Sequence, residues 1–253
     1  MSIHDTVHKN YAELLLDDQL SLQINDPELL RILTNFTDEE VVHYGNLSPK
    51  TRMMVILASL ISMQTLEEYE IMLNRALNAD LTPIEVKEIV YQCVPYVGIA
   101  KVYDFLHATN EILQEKGVEL PLPGQATTTP DTRFSKGLEV QKQIFGDTID
   151  QMYAQSPKNQ LHIQEYLSAN CFGDYYTRKG LDIQTRELLT FSIILSLGGC
   201  EPQLKGHIQG NVNVGNDKET LLSAVTQLLP YIGYPRTLNA IRCLNEVIPE
   251  ATE

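Results

Sequence analysis

Three residues in the second half of the sequence have the types and the spacing for acid–base or thiol chemistry: Glu187, Cys200 and His207. The glycine pair before Cys200 should end one helix, and the proline two residues after it suits the first turn of the next. Cys200 would then lie at a helix N-terminus, where the helix dipole and free N–H groups stabilise a thiolate. His207 follows two turns later on the same helix face.

Glu187 and His207 can form an acid–base pair if their two helices are antiparallel and close. Histidine changes its charge near neutral pH, and a carboxylate bonded to one ring nitrogen fixes the tautomer and the orientation of the ring. The sequence therefore predicts that the two side chains meet, directly or through a water molecule. The structural alternatives are a first-turn Glu187 that complements the helix dipole, a buried apolar Cys200 and a hydrogen-bonded core or interface His207.

An internal repeat provides a comparison for these positions. The segment LSPKTR … VPYVG returns later in the chain as LDIQTR … LPYIG. In the first copy, the three positions carry residues that cannot do acid–base chemistry at neutral pH: Met53, Thr65 and Met72. The comparison assigns a polar site to the second copy and a degenerate site to the first.

Two positions are basic in both copies. Arg186 corresponds to Arg52, and Arg236 corresponds to Lys101. Either arginine of the second copy could anchor a substrate carboxylate through paired hydrogen bonds. Each could instead be a structural ion-pair partner, since the basic charge is also present in the copy that lacks the polar site.

Helical periodicity covers most of the sequence, and strand-like alternation is scarce. Apolar residues recur at helical spacing in eight segments: 50–63, 84–94, 97–114, 136–145, 184–197, 203–213, 218–229 and 234–248. Ser48, Thr82 and Asp217 precede helical patterns in the way that N-caps do. The sequence therefore predicts an all-α protein, with a further helix in residues 1–25.

One segment interrupts the helical pattern between the two copies. Residues 117–133, GVELPLPGQATTTPDTR, combine prolines, glycines and threonines without periodicity and predict a linker. The expected organisation is an N-terminal repeat with the degenerate site, 1–116, followed by the linker and by a C-terminal repeat that keeps the site, 134–253. The apolar helical faces of one copy cannot be buried alone, so we expect the copies to pack together and the chain to form a homo-oligomer.

The amino-acid composition indicates which binding partners and which cellular compartment to expect. The net charge of −14 predicts repulsion from nucleic acid and from anionic membrane surfaces. No apolar run is long enough for a membrane span, and the N-terminus lacks the pattern of a signal peptide. Four widely spaced cysteines without a CxxC pair favour a reducing cytoplasm over a disulfide framework or a structural zinc site.

The second copy is similar to the carboxymuconolactone decarboxylase family, a branch of the alkylhydroperoxidase D-like fold. The similarity rests on RELLT at the start of one helix, on LGG … H across the turn, and on PYIGYPR … LNA near the end. It extends more weakly over the first copy. The resemblance implies a tandem all-α fold built around helical hairpins, oligomeric assembly, and no metal or organic cofactor.

Only some of the site residues that the resemblance implies are present in this sequence. In the peroxidase branch of the fold, a glutamate, a CxxC pair and a histidine form the site, and Glu187, Cys200 and His207 match the glutamate, the first cysteine and the histidine. Gln203 stands at the position of the second cysteine, so the resolving thiol is missing. The decarboxylase branch uses polar and basic groups around the same histidine without the cysteine pair, which fits this sequence better.

Three functions are therefore open from the sequence. The first is a cofactor-independent decarboxylase for a small anionic lactone or organic acid, with His207 as general acid/base, Glu187 orienting it, and Arg186 or Arg236 binding the substrate carboxylate. The second is a single-cysteine hydroperoxidase of peroxiredoxin type that uses Cys200 and His207. The third is a non-catalytic oligomeric binding or scaffold protein.

Overall fold

The computed structural model describes residues 22–250 of the chain. The helix predicted for residues 1–25 therefore falls almost wholly outside the described residues. Residues 22–44 belong to one compact unit and residues 45–250 to a second. The first unit contains helix α1 (Pro27–Thr34), which continues into a π-helical segment, Asn35–Glu40, and a 3₁₀ turn, Val41–His43.

The second unit contains the helices of both copies. The first copy contributes α2 (Pro49–Met63), α3 (Leu66–Asn78), α4 (Pro83–Val97) and α5 (Ile99–Glu115). After the non-helical residues 117–132 come α6 (Arg133–Phe145), α7 (Thr148–Gln155) and α8 (Leu161–Tyr166), and α8 runs into a π-helical segment, Leu167–Tyr176. The second copy contributes α9 (Ile183–Leu197), α10 (Glu201–Asn213) and α11 (Lys218–Val247). No strand occurs between residues 22 and 250, so the predicted all-α fold is confirmed.

The helix starts use the same chemistry in both copies. Ser48 caps α2 and Asp182 caps α9, each with a side-chain oxygen that accepts the backbone N–H three residues later. Thr82 and Asp217 cap α4 and α11 in the same way. Each cap satisfies a backbone donor that the first helical turn leaves without an intrahelical acceptor. The N-cap signals read from the sequence are therefore confirmed.

Glycines at positive φ separate the helices of each copy. Gly98 has a φ of 88° between α4 and α5, and Gly233 has a φ of 76° where α11 breaks into two parts. Gly198 and Gly199 both have a φ of 71° and end α9 immediately before α10. Glycine lacks a Cβ and reaches these dihedral angles without steric cost, which explains its use at these turns.

Two helices, α2 and α9, form the centre of the core. In α9 every residue from Arg186 to Ser196 is buried, and in α2 the buried run is 54–62. The hydroxyl groups of Ser59 and Ser196 lie 2.7 Å apart where the two helices meet. Helix α9 also packs against α4 of the first copy, and α2 packs against α11 of the second. The two copies therefore contribute to one hydrophobic core.

Helix α6 and the following π-helical segment pack backbone to backbone. A Cβ on Gly137 would overlap the carbonyl oxygen of Ser168, and a Cβ on Gly173 would overlap the carbonyl oxygen of Arg133. Only glycine permits an approach this close. The contact joins the first half of α6 to the π-helical segment, and the ends of the two elements share a buried apolar cluster that contains Ile144, Phe172 and Tyr176.

Within residues 22–250, no helix combines the length and the apolar character that a transmembrane span needs.

The close contact at Gly137 predicts a large effect of a single methyl group. We expect Gly137→Ala to lower the free energy of unfolding by about 1–3 kcal/mol, because the added Cβ meets backbone atoms that cannot move aside. The matched control is Gly206→Ala in α10, where a Cβ would have no neighbour within 4 Å. That variant should gain about 0.5–1 kcal/mol from helix propensity. Urea unfolding of both variants measures the difference, and equal effects would contradict the packing.

Candidate active site

Glu187 and His207 are directly hydrogen-bonded across the α9–α10 hairpin. The Glu187 side chain is fully buried near the start of α9, and its Oε2 lies 2.9 Å from Nδ1 of His207. Gly210, one turn beyond His207, makes room for the carboxylate, because a Cβ there would lie 2.7 Å from Oε2. The sequence-based prediction that the two side chains meet is therefore confirmed.

Asn211 holds the two helices at this separation. Its amide nitrogen donates to the backbone carbonyl of Glu187 at 3.0 Å and to that of His207 at 2.7 Å. Its amide oxygen accepts from Asn216, which lies in the turn after α10, at 2.7 Å. The relative position of the carboxylate and the ring is thus fixed by backbone contacts as well as by their own bond.

Tyr176 forms a hydrogen bond with the second oxygen of the Glu187 carboxylate. Its hydroxyl donates to Oε1 of Glu187 at 2.6 Å. Burial, followed by the nearby charge of Glu187, raises the pKa of Tyr176 well above its usual value, so the phenol stays neutral and keeps its donor proton. With both carboxylate oxygens accepting, the bonding pattern puts a proton on Nδ1 of His207.

The other ring nitrogen of His207, Nε2, is not used in this pair. The side chain is 12% exposed, and Nε2 has no hydrogen-bond partner among residues 22–250. The rings of Phe145 and Tyr96 stand edge-on to the imidazole, with centroids 5.3 and 5.8 Å away. These contacts restrict the imidazole and leave Nε2 as the atom that can exchange a proton with a bound molecule.

A line of buried polar contacts extends from Tyr176 into the first copy. The Tyr176 hydroxyl lies 2.7 Å from Oγ1 of Thr190 and 3.0 Å from the hydroxyl of Tyr96. Gln92 on α4 donates to Thr190 at 3.1 Å and accepts from Arg186 at 2.9 Å. Gln92 of α4 is therefore paired with Thr190 and Arg186 of α9, and among the buried side-chain polar atoms of residues 22–250 only Nε of Arg186 has no hydrogen-bond partner.

Arg186 lies at the inner end of this line and is 0% exposed. Its guanidinium donates to Glu88 at 2.8 Å, to Gln92, and to the backbone carbonyls of Arg178 and Lys179. This environment favours the ion-pair interpretation of Arg186 over contact with a substrate. The role of Arg186 as a carboxylate ligand stays a prediction.

Arg236 belongs to α11, and its side chain packs against the turn between α9 and α10. Its Nε would be 3.3 Å from a Cβ on Gly198, and its Nη1 is 3.1 Å from the sulfur of Met63. The residue is half-buried, so its guanidinium is more accessible than that of Arg186. No direct contact joins it to Glu187 or His207 among the hydrogen bonds of residues 22–250, and its role as a substrate ligand also stays a prediction.

Cys200 is the N-cap residue of α10, as the sequence predicted. It is partly exposed, and its sulfur lies 3.5 Å from the carbonyl oxygen of Gly198. The other three cysteines are buried. Gln203 follows one turn later and is exposed, so no second thiol lies next to Cys200 along α10.

The equivalent positions of the first copy belong to the hydrophobic core. Met72 is buried within α3, and Met53 packs against the core from the start of α2. Neither side chain can exchange a proton near neutral pH. The polar pair therefore has no counterpart at the matching positions of the first hairpin.

Three aromatic residues around Glu187 and His207 were not singled out as site residues from the sequence: Phe145, Tyr176 and Tyr96. Phe145 ends α6 and Tyr176 ends the π-helical segment, so both precede the α9–α10 hairpin in the chain. A signal was present for Tyr176, since the segment before this hairpin, CFGDYYTRKG, contains two adjacent tyrosines. The segment alone does not reveal that one hydroxyl points at Glu187.

Comparison with known proteins gives a family and two relatives. A family model described as the carboxymuconolactone decarboxylase family matches residues 27–111 and 162–246. The chain is 26% identical over 121 residues to a 4-carboxymuconolactone decarboxylase of Acinetobacter baylyi, which covers 47% of this chain and 90% of that protein. It is also 31% identical over 83 residues to an uncharacterized 15.0 kDa protein of Paracoccus denitrificans from the nqo9–nqo10 intergenic region, covering 32% of this chain and 62% of that protein.

Burial of the Arg186 guanidinium predicts a large stability effect. We expect Arg186→Met to lower the free energy of unfolding by about 3–5 kcal/mol, because it breaks a buried ion pair and leaves Gln92 and two carbonyls without a donor. Arg236→Met, which removes a half-buried arginine with no carboxylate partner among residues 22–250, should cost less than about 1 kcal/mol. Chemical denaturation of both variants tests this, and a small effect at Arg186 would contradict a structural role.

Exposure predicts which cysteine reacts first. Cys200 should be alkylated by iodoacetamide at neutral pH before the other three, because it alone is not buried. Burial raises the pKa of Cys171 to about 12 and moves that of Cys93 higher still, which keeps both as protonated thiols. Peptide mass spectrometry after timed labelling identifies the order, and equal labelling of all four cysteines would contradict it.

Proposed function

The chain belongs to the carboxymuconolactone decarboxylase family, and from this we propose that it is a cofactor-independent decarboxylase for a small anionic lactone. His207 is the general acid/base, and Glu187 is the residue that orients it. The observation that carries this proposal is the bond between Nδ1 of His207 and the buried carboxylate of Glu187, with Nε2 left without a hydrogen-bond partner among residues 22–250.

The reaction needs one electron sink and one proton. The bond between the substrate ring and its carboxylate breaks, carbon dioxide leaves, and the electron pair moves into the conjugated lactone. Nε2 of a protonated His207 then donates a proton to the ring carbon, and the imidazole regains a proton from solvent. Glu187 stabilises the imidazolium before the transfer, in the way that a carboxylate supports a catalytic histidine.

Three aromatic residues support the same role. Tyr176 fixes the second oxygen of the Glu187 carboxylate, so the carboxylate cannot rotate away from the imidazole. Phe145 and Tyr96 contact the imidazole edge-on and restrict its rotation. A general acid must be held within hydrogen-bond reach of its target atom, which is the function of such contacts.

The substrate carboxylate needs a cationic partner. Arg236 is the better placed of the two arginines singled out from the sequence, because Arg186 is already bonded to Glu88 and fully buried. The side chain of Arg236, on α11, packs against the turn that leads into α10, the helix that carries His207. We therefore assign substrate binding to Arg236 and a supporting structural role to Arg186.

The position of Cys200 supports a second candidate activity. As the N-cap of α10 it lies on the same helix as His207, and it is partly exposed. A thiolate here could attack the O–O bond of a hydroperoxide, which releases an alcohol and leaves a cysteine sulfenic acid. Because Gln203 replaces the resolving cysteine, an external thiol would have to reduce the sulfenic acid.

Assembly and location are part of the proposal. The second part of each copy presents large apolar side chains to solvent, which supports a homo-oligomer: Ile99, Tyr103, Tyr234 and Leu238. The four free cysteines and the acidic composition support a cytoplasmic protein without nucleic-acid or membrane partners. A non-catalytic oligomeric scaffold is the account that would replace the enzyme if no variant at the site alters a reaction.

Release of carbon dioxide from 4-carboxymuconolactone tests the proposed reaction. His207→Gln should lower kcat/KM by about 10²–10⁴-fold, as expected for loss of a general acid. Glu187→Gln keeps the shape of the site and should also lower kcat, since it removes the charge that supports the imidazolium. Cys200→Ser should retain decarboxylation.

The same variants separate the two activities. If the unaltered chain turns over an organic hydroperoxide but releases no carbon dioxide from the lactone, and Cys200→Ser abolishes that turnover, the thiol mechanism replaces the first proposal. The folded state of each variant is checked by its thermal unfolding midpoint. Loss of activity without loss of folding then reports on chemistry.

A further inference from the structure

A cavity of about 360 Å³ lies on the other side of the buried ion pair from His207. Its floor is formed by α4 and by Arg178, and its wall by the non-helical residues 120–125. None of its lining residues contacts His207, whose neighbours are Glu187, Tyr96 and Phe145. The proposed decarboxylase mechanism makes no use of this cavity.

Lys87 is the unusual group in the cavity. Its side chain belongs to a residue that is only 9% exposed, and its ammonium donates to Oδ1 of Asn110 at 2.6 Å. No carboxylate lies within ion-pair distance of it among residues 22–250. Burial lowers the pKa of Lys87 from its usual value, which reflects the missing counter-ion. A buried ammonium without an anionic partner is costly, and an anion that enters the cavity removes that cost.

The surrounding charges strengthen the preference for an anion. Glu88 is the one carboxylate among the lining residues, and it is already bonded to Arg178 at 2.8–3.1 Å and to Arg186 at 2.8 Å. Two guanidinium groups therefore share one carboxylate, and Lys87 adds a third cation. This local excess of positive charge lies in a chain whose net charge is −14.

The opposite wall is apolar. Leu120, Pro121, Leu122 and Pro123 face the cavity together with Ile84 of α4. The ring of Tyr91 lies between the two kinds of surface, with Lys87 Nζ 5.5 Å and the Arg178 guanidinium carbon 5.0 Å from its centroid. A ligand that fits this cavity has a negatively charged end for the cationic side and an apolar body for the opposite wall. Pockets of a few hundred Å³ hold small molecules of this kind.

We propose that this cavity is a binding site for a small organic carboxylate, separate from the His207 site. The carboxylate accepts hydrogen bonds from Lys87 and Asn110, and the apolar body packs against residues 120–123 and the ring of Tyr91. Glu88 keeps Arg178 in place at the floor. Hydrogen bonds from Arg186 through Gln92, Thr190 and Tyr176 connect this site to the Glu187 carboxylate.

Titration with benzoate, followed by isothermal calorimetry on the full chain, tests the proposal. Benzamide is the neutral control of the same shape, and acetate is the control without an apolar body. Benzoate should bind about tenfold or more tightly than benzamide, because a charge-assisted hydrogen bond to a buried partner is lost in the amide. Acetate should also bind more weakly than benzoate.

Matched variants locate the binding. Lys87→Gln should weaken benzoate binding by about tenfold or more, and Lys87→Arg, which keeps the charge, should retain most of it. Lys158→Gln is the control at an exposed lysine outside the cavity and should have no effect. His207→Gln should leave the affinity unchanged, so the result does not depend on whether the chain is a decarboxylase.

Several outcomes would overturn the assignment. Benzoate that binds no better than benzamide or acetate shows that the cavity does not select an apolar carboxylate. Binding that survives Lys87→Gln, or that disappears in His207→Gln, places the anion elsewhere. No heat of binding and no shift of the thermal midpoint at millimolar benzoate shows that the cavity holds only solvent.

Discussion

The buried ion pair between Glu88 and Arg186 is the interaction on which the arrangement of the rest depends. Both side chains are excluded from solvent, and Glu88 is the carboxylate that pairs with the Arg186 guanidinium, so a shift of either helix would leave the buried charge of Arg186 without its partner. Glu88 lies on α4 of the first copy and Arg186 on α9 of the second. The pair therefore sets the register between the helices that carry the polar network, and Gln92 and Thr190 extend the same register toward Glu187.

The two copies have different roles in this arrangement. The second hairpin carries the carboxylate and the imidazole, while α4 of the first copy supplies Glu88, Gln92 and Tyr96 as supports. The first hairpin fills its own equivalent positions with methionine and contributes to the core. One copy thus performs chemistry in the proposed mechanism, and the other holds it in place.

The sequence predicted much of the fold and the centre of the site for an identifiable reason. Helix periodicity, N-caps and glycine turns are local signals, and the α9–α10 hairpin is a local structure, so the meeting of Glu187 and His207 followed from spacing. Helix α3 was not predicted, although its buried Tyr69, Met72, Leu73 and Ala76 recur at helical spacing, because charged residues dilute the pattern. The partners of Arg186 and Tyr176 on α4 could not be predicted, since folding brings Glu88, Gln92 and Tyr96 to them from 80 to 98 residues away in the chain.

The covalent fusion of the two copies has a consequence for symmetry. In a pair of identical single-copy chains, a substitution appears on both sides of the two-fold axis, and every buried charge would occur twice. Here the position that corresponds to Glu88 is Ser223, which bonds to Asn46 instead of to an arginine pair. Fusion frees the two sides to differ. A symmetric dimer of identical chains would carry the same residue at both equivalent positions. It therefore could not combine Glu88 on one side with Ser223 on the other.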